Sequence, residues 1–127
     1  MLKMLVFVAM GGALGAVARY LTIMGVGRLV GTGFPYGTIA VNILGSFILG
    51  VLVEIFALKW HVSQEIRAMI VVGMLGAFTT FSSFSLDTIL QLERGHLGGA
   101  AIYILSSVTF SVLGLFAGLR LARLVLI

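Results

Sequence analysis

The sequence predicts an all-α membrane protein, a single domain over residues 1–127 with four transmembrane helices, the third of them broken. Three observations carry that reading. The composition is 61% hydrophobic and 9% charged, against about 25% charged residues in soluble domains, so there are too few charges to cover a water-facing surface. Four apolar segments reach the roughly 20 residues that a helix needs to cross hydrocarbon. The third carries two glycines and then a run of hydroxyls and phenylalanines, from Gly73 and Gly76 through Thr79, Thr80, Phe81, Ser82, Ser83, Phe84 and Ser85 to Asp87. Backbone and hydroxyl groups at membrane depth must be satisfied internally or face a cavity. An interrupted helix there marks an ion or substrate site.

The first span is placed at residues 4–26. Lys3 ahead of the apolar run, with Ala16-Val17-Ala18, has the form of a signal peptide and its cleavage site. The apolar pattern continues past Ala18, so the segment is read as a retained span. Arg19 falls about 22 Å along it at 1.5 Å per residue, and is either a snorkelling anchor or a positive charge in a vestibule. Gly31-Thr32-Gly33-Phe34-Pro35 is a turn with the only proline.

The second span covers residues 36–58. Thr38, Asn42, Ser46 and Gly50 recur every fourth position and form a narrow polar and small stripe. Its amide gives Asn42 two donors and an acceptor, for helix–helix bonding or for a pore. Glu54 near the span's end is expected to snorkel. Lys59-Trp60-His61 reads as an interfacial connection.

The third span covers residues 64–92, with its break in the 73–87 stretch. Phe81 and Phe84 share a face three residues apart, among hydroxyls. Asp87 is expected to cap or pair locally. A short loop, Glu93-Arg94-Gly95-His96, leads to the fourth span at residues 97–124, where Tyr103, Ser107 and Ser111 form a hydroxyl ladder about 12 Å long. Gly114 and Gly118, Gly12 and Ala16, and Ser46 and Gly50 are small pairs four apart that let helices approach closely in lipid.

Charge and composition exclude several functions. There is no cysteine and no histidine spacing for a metal, and the eight Lys and Arg are scattered, so nothing suggests nucleic-acid binding. No paired carboxylates, nucleophile–base pair or phosphate loop is present, so the chain is not read as an enzyme. Four spans put both termini on one side. That side carries five basic residues (Lys3, Lys59, Arg67, Arg120, Arg123) and the other carries three (Arg19, Arg28, Arg94). Orientation is therefore weakly specified, and a chain that inserts both ways suits an antiparallel dimer with two-fold symmetry. A path lined by uncharged donors fits a small anion that must shed water without being trapped; water and neutral solutes fit it too.

Three motifs narrow this. Gly11-Gly12-Ala13-Leu14-Gly15-Ala16-Val17-Ala18-Arg19-Tyr20, then Gly37-Thr38-Ile39-Ala40-Val41-Asn42-Ile43-Leu44-Gly45-Ser46-Phe47, then Gly73-x-x-Gly76-x-x-Thr79-Thr80-Phe81-Ser82-Ser83-Phe84-Ser85, resemble the Fluc (CrcB) family of prokaryotic fluoride channels in order and spacing. The resemblance covers essentially the whole chain. It implies an antiparallel, dual-topology homodimer in the prokaryotic cell membrane with two fluoride pores. Asn42 matches the family's pore asparagine, Phe81 and Phe84 its fluoride-facing phenylalanines, and Ser82 a hydroxyl position beside them. Tyr103, Ser107 and Ser111 resemble its polar track more loosely. The carbonyls of Gly76 and Thr79, with those of a second copy, match a sodium site on the two-fold axis, and Arg19 matches an arginine of the first helix. Ser83 stands where threonine is common. The expected activity is passive export of cytoplasmic fluoride. The rivals are a small multidrug exporter, which needs an acid that the first span lacks, a non-conducting assembly subunit, and a fluoride–proton antiporter.

Overall fold

The computed structural model describes all 127 residues. Four helices are long and apolar enough to cross a membrane. Helix α1 runs over Leu2–Val30 and α2 over Tyr36–Leu58. The third span is composite. It comprises α3 (Gln64–Ala68), a π-helical segment (Met69–Leu75), a single turn α4 (Gly76–Phe78) and α5 (Phe81–Glu93). Helix α6 covers Leu97–Leu126. The turns that join α1 to α2 and α5 to α6 each contain a glycine in the left-handed region, Gly31 at φ 87° and Gly95 at φ 78°, where a Cβ would be strained.

The interior is small because the chain packs in two seams, α6 along α2 and α1 along the third span. Glycine makes both seams possible. A Cβ on Gly50 would meet the carbonyl of Leu115, and one on Gly118 would meet that of Phe47, so α2 and α6 touch backbone to backbone. On the other seam Gly11 and Gly15 receive the carbonyls of Met69 and Met74, and Gly73 receives that of Val8. In lipid there is no hydrophobic drive between helices, so close packing of this kind holds the bundle.

The structure corrects several expectations. The small face of α1 is Gly11 and Gly15, not Gly12 and Ala16; a Cβ on Gly12 would meet nothing within 4 Å. The break is shorter than the motif, two extended residues, Thr79 at ψ 157° and Thr80 at ψ 121°. Gly76 itself is helical at φ −62° and ψ −36°. Glu54 does not snorkel alone. It is buried, and the Arg123 Nε donates to its Oε1 at 2.9 Å, tying the ends of α2 and α6. A carboxylate within a span is held most cheaply by such a partner.

Substituting the seam glycines should therefore be costly. Gly15→Val and Gly118→Val should each lower the stability of the detergent-solubilised protein by roughly 1–3 kcal/mol or more, because the obstructing atoms are backbone. Gly12→Ala should change it by less than about 1 kcal/mol. Thermal midpoints followed by size-exclusion chromatography check this.

Candidate ion pathway

The site is organised by the break in the third span. An α-helix that stops at membrane depth strands amides and carbonyls, and two side chains take them up. Asn42, from α2, donates its Nδ2 to the Thr80 carbonyl at 3.0 Å and accepts the Thr80 amide on its Oδ1 at 2.7 Å. Thr80 in turn is the N-cap of α5, its Oγ1 accepting the Ser83 amide at 3.1 Å. The amide of Thr79 and its Oγ1 both donate to the Leu75 carbonyl, so α4 ends there.

The end of α4 leaves its last carbonyls without helical amides, those of Gly76 and Thr79 among them. The amide that would close a turn on Gly76 is that of Thr80, which Asn42 has taken. The amide that would close one on Thr79 is that of Ser83, which the Thr80 hydroxyl has taken. Gly76 lies on the exposed side of the chain. No group of three or more His, Cys, Asp or Glu side chains converges anywhere in the chain.

Beside the break lies a cavity of about 310 Å³. Asn42 and Ser46 line it from α2, Phe81 and Phe84 from α5, and Ser107 and Ser111 from α6. The two phenylalanine rings sit 5.5 Å apart between centroids. Phe81 is 77% exposed, far from a core phenylalanine. The hydroxyls of Ser107 and Ser111 are buried, with no hydrogen-bond partner in the chain. Buried polar groups are nearly always paired, so an aligned pair of free hydroxyls in a cavity is the mark of a ligand-facing wall. No charged side chain lines the space.

The other expected site residues stand around this groove. Tyr103 is fully buried rather than in the cavity wall. Its ring lies 5.2 Å from that of Phe84, and its hydroxyl donates to Asp87 Oδ2 at 2.8 Å. Thr38 donates to the same oxygen at 2.8 Å. Asp87 therefore joins three spans instead of pairing locally, at the end of the stripe that Thr38 begins. The Ser82 hydroxyl is 3.4 Å from Thr80 Oγ1, at the margin. Arg19 lies in a separate recess with Ala16, Tyr20, Ile23 and Met24.

Sequence reasoning did not single out Thr80 or the Thr38–Asp87 contact. The first had a local signal, a threonine three residues before an amide that needs a cap. The second had only the position of Thr38 four residues before Asn42.

Residues 6–119 match the family described as CrcB-like protein, Camphor Resistance (CrcB). The chain is 55% identical over 122 residues to a protein of Rhodospirillum centenum, covering 96% of this chain and 97% of that one. It is 54% identical over 122 residues to one of Chelativorans sp., covering 96% and 98%. To one of Agrobacterium fabrum it is 54% identical over 116 residues, covering 91% and 93%. All three relatives bear the name fluoride-specific ion channel FluC.

Replacing Asn42 with Leu strands both polar groups of Thr80 and should destabilise the fold by about 1–3 kcal/mol for each group left unpaired. Thr80→Val, which removes only the cap on Ser83, should cost about 1 kcal/mol. Equal thermal midpoints for wild type and Asn42→Leu would show that the break is held by something else.

Proposed function

The chain belongs to the CrcB-like family, and from that premise we propose how it works as a fluoride channel. It is a multi-pass protein of the bacterial inner membrane, with four apolar spans. The observation that carries the mechanism is the groove beside the break, walled by two unpartnered hydroxyls, an asparagine and two phenylalanines, with no full charge.

A fluoride ion entering a narrow path must exchange its water for donors of comparable strength. Ser107 and Ser111 offer O–H groups one helical turn apart. Asn42 has its Nδ2 turned to Thr80, yet an amide nitrogen carries two hydrogens, which leaves a second donor at a residue that lines the cavity. The edges of aromatic rings are electropositive, so Phe81 and Phe84 give an anion a favourable surface without a cation that would trap it. Chloride, being larger, is excluded by the width of the path. Flux is passive. Fluoride that enters as the neutral acid from acidic surroundings dissociates in the cytoplasm and leaves through the channel. Ser82, Tyr103 and Arg19 would act at the margins of this path, with Tyr103 held in place by Asp87.

The working unit in this reading is an antiparallel homodimer with two pores. The exposure of Phe81 and Gly76 supports it, since both would be covered by a second copy. A sodium ion on the two-fold axis would be bound by the Gly76 and Thr79 carbonyls of the two copies. These oxygens suit a hard cation, and they are the two from which the Asn42 and Thr80 caps withhold helical amides. The ion's role would be structural, neutralising carbonyls that hydrocarbon cannot satisfy.

Purified protein in liposomes should release fluoride down its gradient and retain chloride. Phe81→Ile should cut fluoride efflux by roughly tenfold or more, equivalent to about 1.4 kcal/mol, in a protein that still folds. No fluoride efflux from the folded wild type would remove the channel assignment, and normal flux in Phe81→Ile would remove the ring-edge role. For the cation, the thermal midpoint should be higher in sodium chloride than in N-methylglucamine chloride, as expected for a ligand of the folded state; identical midpoints would count against the site.

A further inference from the structure

Away from the ion groove, a second hollow of about 580 Å³ lies between the last turns of α2 and the start of the third span. Val53 and Phe56 form one wall, and Val71 and Val72 the other. Val62 and Arg67 lie at its outer end, in the connection and first turn that sit at the membrane surface. Gln64 also lines it; the rest of the lining is apolar apart from Arg67, the one charged side chain at its mouth. From Arg67 to Val72 it runs about 7 Å toward the hydrocarbon at 1.5 Å per residue. Val53 and Val72 are exposed, so the hollow opens sideways out of the bundle.

Arg67 is held at this mouth without being neutralised. Its guanidinium lies 5.5 Å from the centroid of the Phe56 ring, a cation–π arrangement that fixes its position. Phe56 is buried, and packs tilted against Trp60 at 6.4 Å, so the ring is a rigid platform. The one ion pair in the structure is Glu54–Arg123, which leaves Arg67 without a carboxylate. Glu65, two residues away, does not share its face of the helix. Lys59 adds a second positive charge in the adjoining connection.

A fixed, unpaired cation at the interface above an apolar trough is complementary to an amphiphile with a negative head. We propose that this groove binds a phospholipid with an anionic headgroup, its phosphate on Arg67 and an acyl chain along Val53, Val71 and Val72. The bilayer supplies such molecules at the right depth, and charge selects among them. A zwitterionic headgroup brings its own ammonium to the same mouth, whereas an anionic one does not.

Native mass spectrometry of the protein in a non-ionic detergent tests this, with phosphatidylglycerol and phosphatidylcholine of the same acyl chains titrated separately. Wild type should retain phosphatidylglycerol in preference to phosphatidylcholine. Arg67→Gln should weaken that retention roughly fivefold, the equivalent of about 1 kcal/mol per basic side chain near a membrane surface, and Arg67→Lys should recover part of it. Val53→Trp, which fills the trough and leaves Arg67 in place, should also reduce it. Equal retention of the two lipids, or undiminished retention of phosphatidylglycerol by Arg67→Gln, would overturn the proposal. So would a change in oligomeric state with Val53→Trp while lipid retention stays unchanged, which would give the groove to a second copy.

Discussion

The reciprocal pair of hydrogen bonds between Asn42 and the backbone of Thr80 is the constraint on which the centre of this molecule depends. In water a broken helix is cheap, because solvent completes its ends. In hydrocarbon each stranded amide or carbonyl costs several kcal/mol. A side-chain amide carries its donor and its acceptor on separate atoms, so one uncharged group pairs both the carbonyl and the amide of a single residue. With Thr80 satisfied from α2, its hydroxyl is free to cap α5, and the chain restarts as a helix after two extended residues. That restart sets Phe81 and Phe84 on the cavity wall. The same two caps withdraw the amides that the Gly76 and Thr79 carbonyls would have used, so the groove and the proposed cation site have one cause.

The shape of the groove follows from side-chain volume along the α2–α6 seam. At Gly50 and Gly118 the backbones touch, and beyond that point Glu54 and Arg123 tie the helix ends together. Toward the other end the α2 stripe changes from glycine to Ser46 and Asn42, which line the cavity together with Ser111 and Ser107 of α6. Past the cavity the seam closes again where Tyr103 and Thr38 converge on Asp87. The hydroxyls of Ser107 and Ser111, in the middle stretch, have no partner in the chain.

The four spans and their approximate ends were legible because hydropathy over some 20 residues is set by lipid thickness and needs no tertiary information. The break was legible because hydroxyls in a span demand an explanation. What the sequence could not reveal depended on partners distant in the chain. Glu54 looked like a snorkelling residue because Arg123 is 69 positions away, and Asp87 looked local although Thr38 is 49 positions away. Gly11 and Gly15 were passed over for Gly12 and Ala16 because both pairs have the same spacing and differ by about 100° around the helix, which only the packed structure resolves. The π-helical segment is hidden for a similar reason: Met69–Leu75 reads as any apolar run, and its extra residue per turn comes with the close approach of α1 at Gly73.

Viewed alone, one copy of this chain is an unlikely resident of hydrocarbon. It exposes most of Phe81, which lipid tolerates, but also Gly76, the hydroxyls of Ser82 and Ser85, and a groove with unpaired serines. Ser85 relieves itself by donating to the Phe81 carbonyl at 3.0 Å, while the Gly76 and Thr79 carbonyls have no such local remedy. The proposed second copy and axial sodium would remove that deficit together, the copy by excluding lipid and the ion by supplying the charge that bare carbonyls attract. The two proposals are therefore coupled. Without a cation, bringing four such carbonyls together would add dipole repulsion to an already unsatisfied backbone, and a dimer would be held only by its apolar faces. With the ion, the break beside the proposed path would also supply the contact that joins the proposed copies.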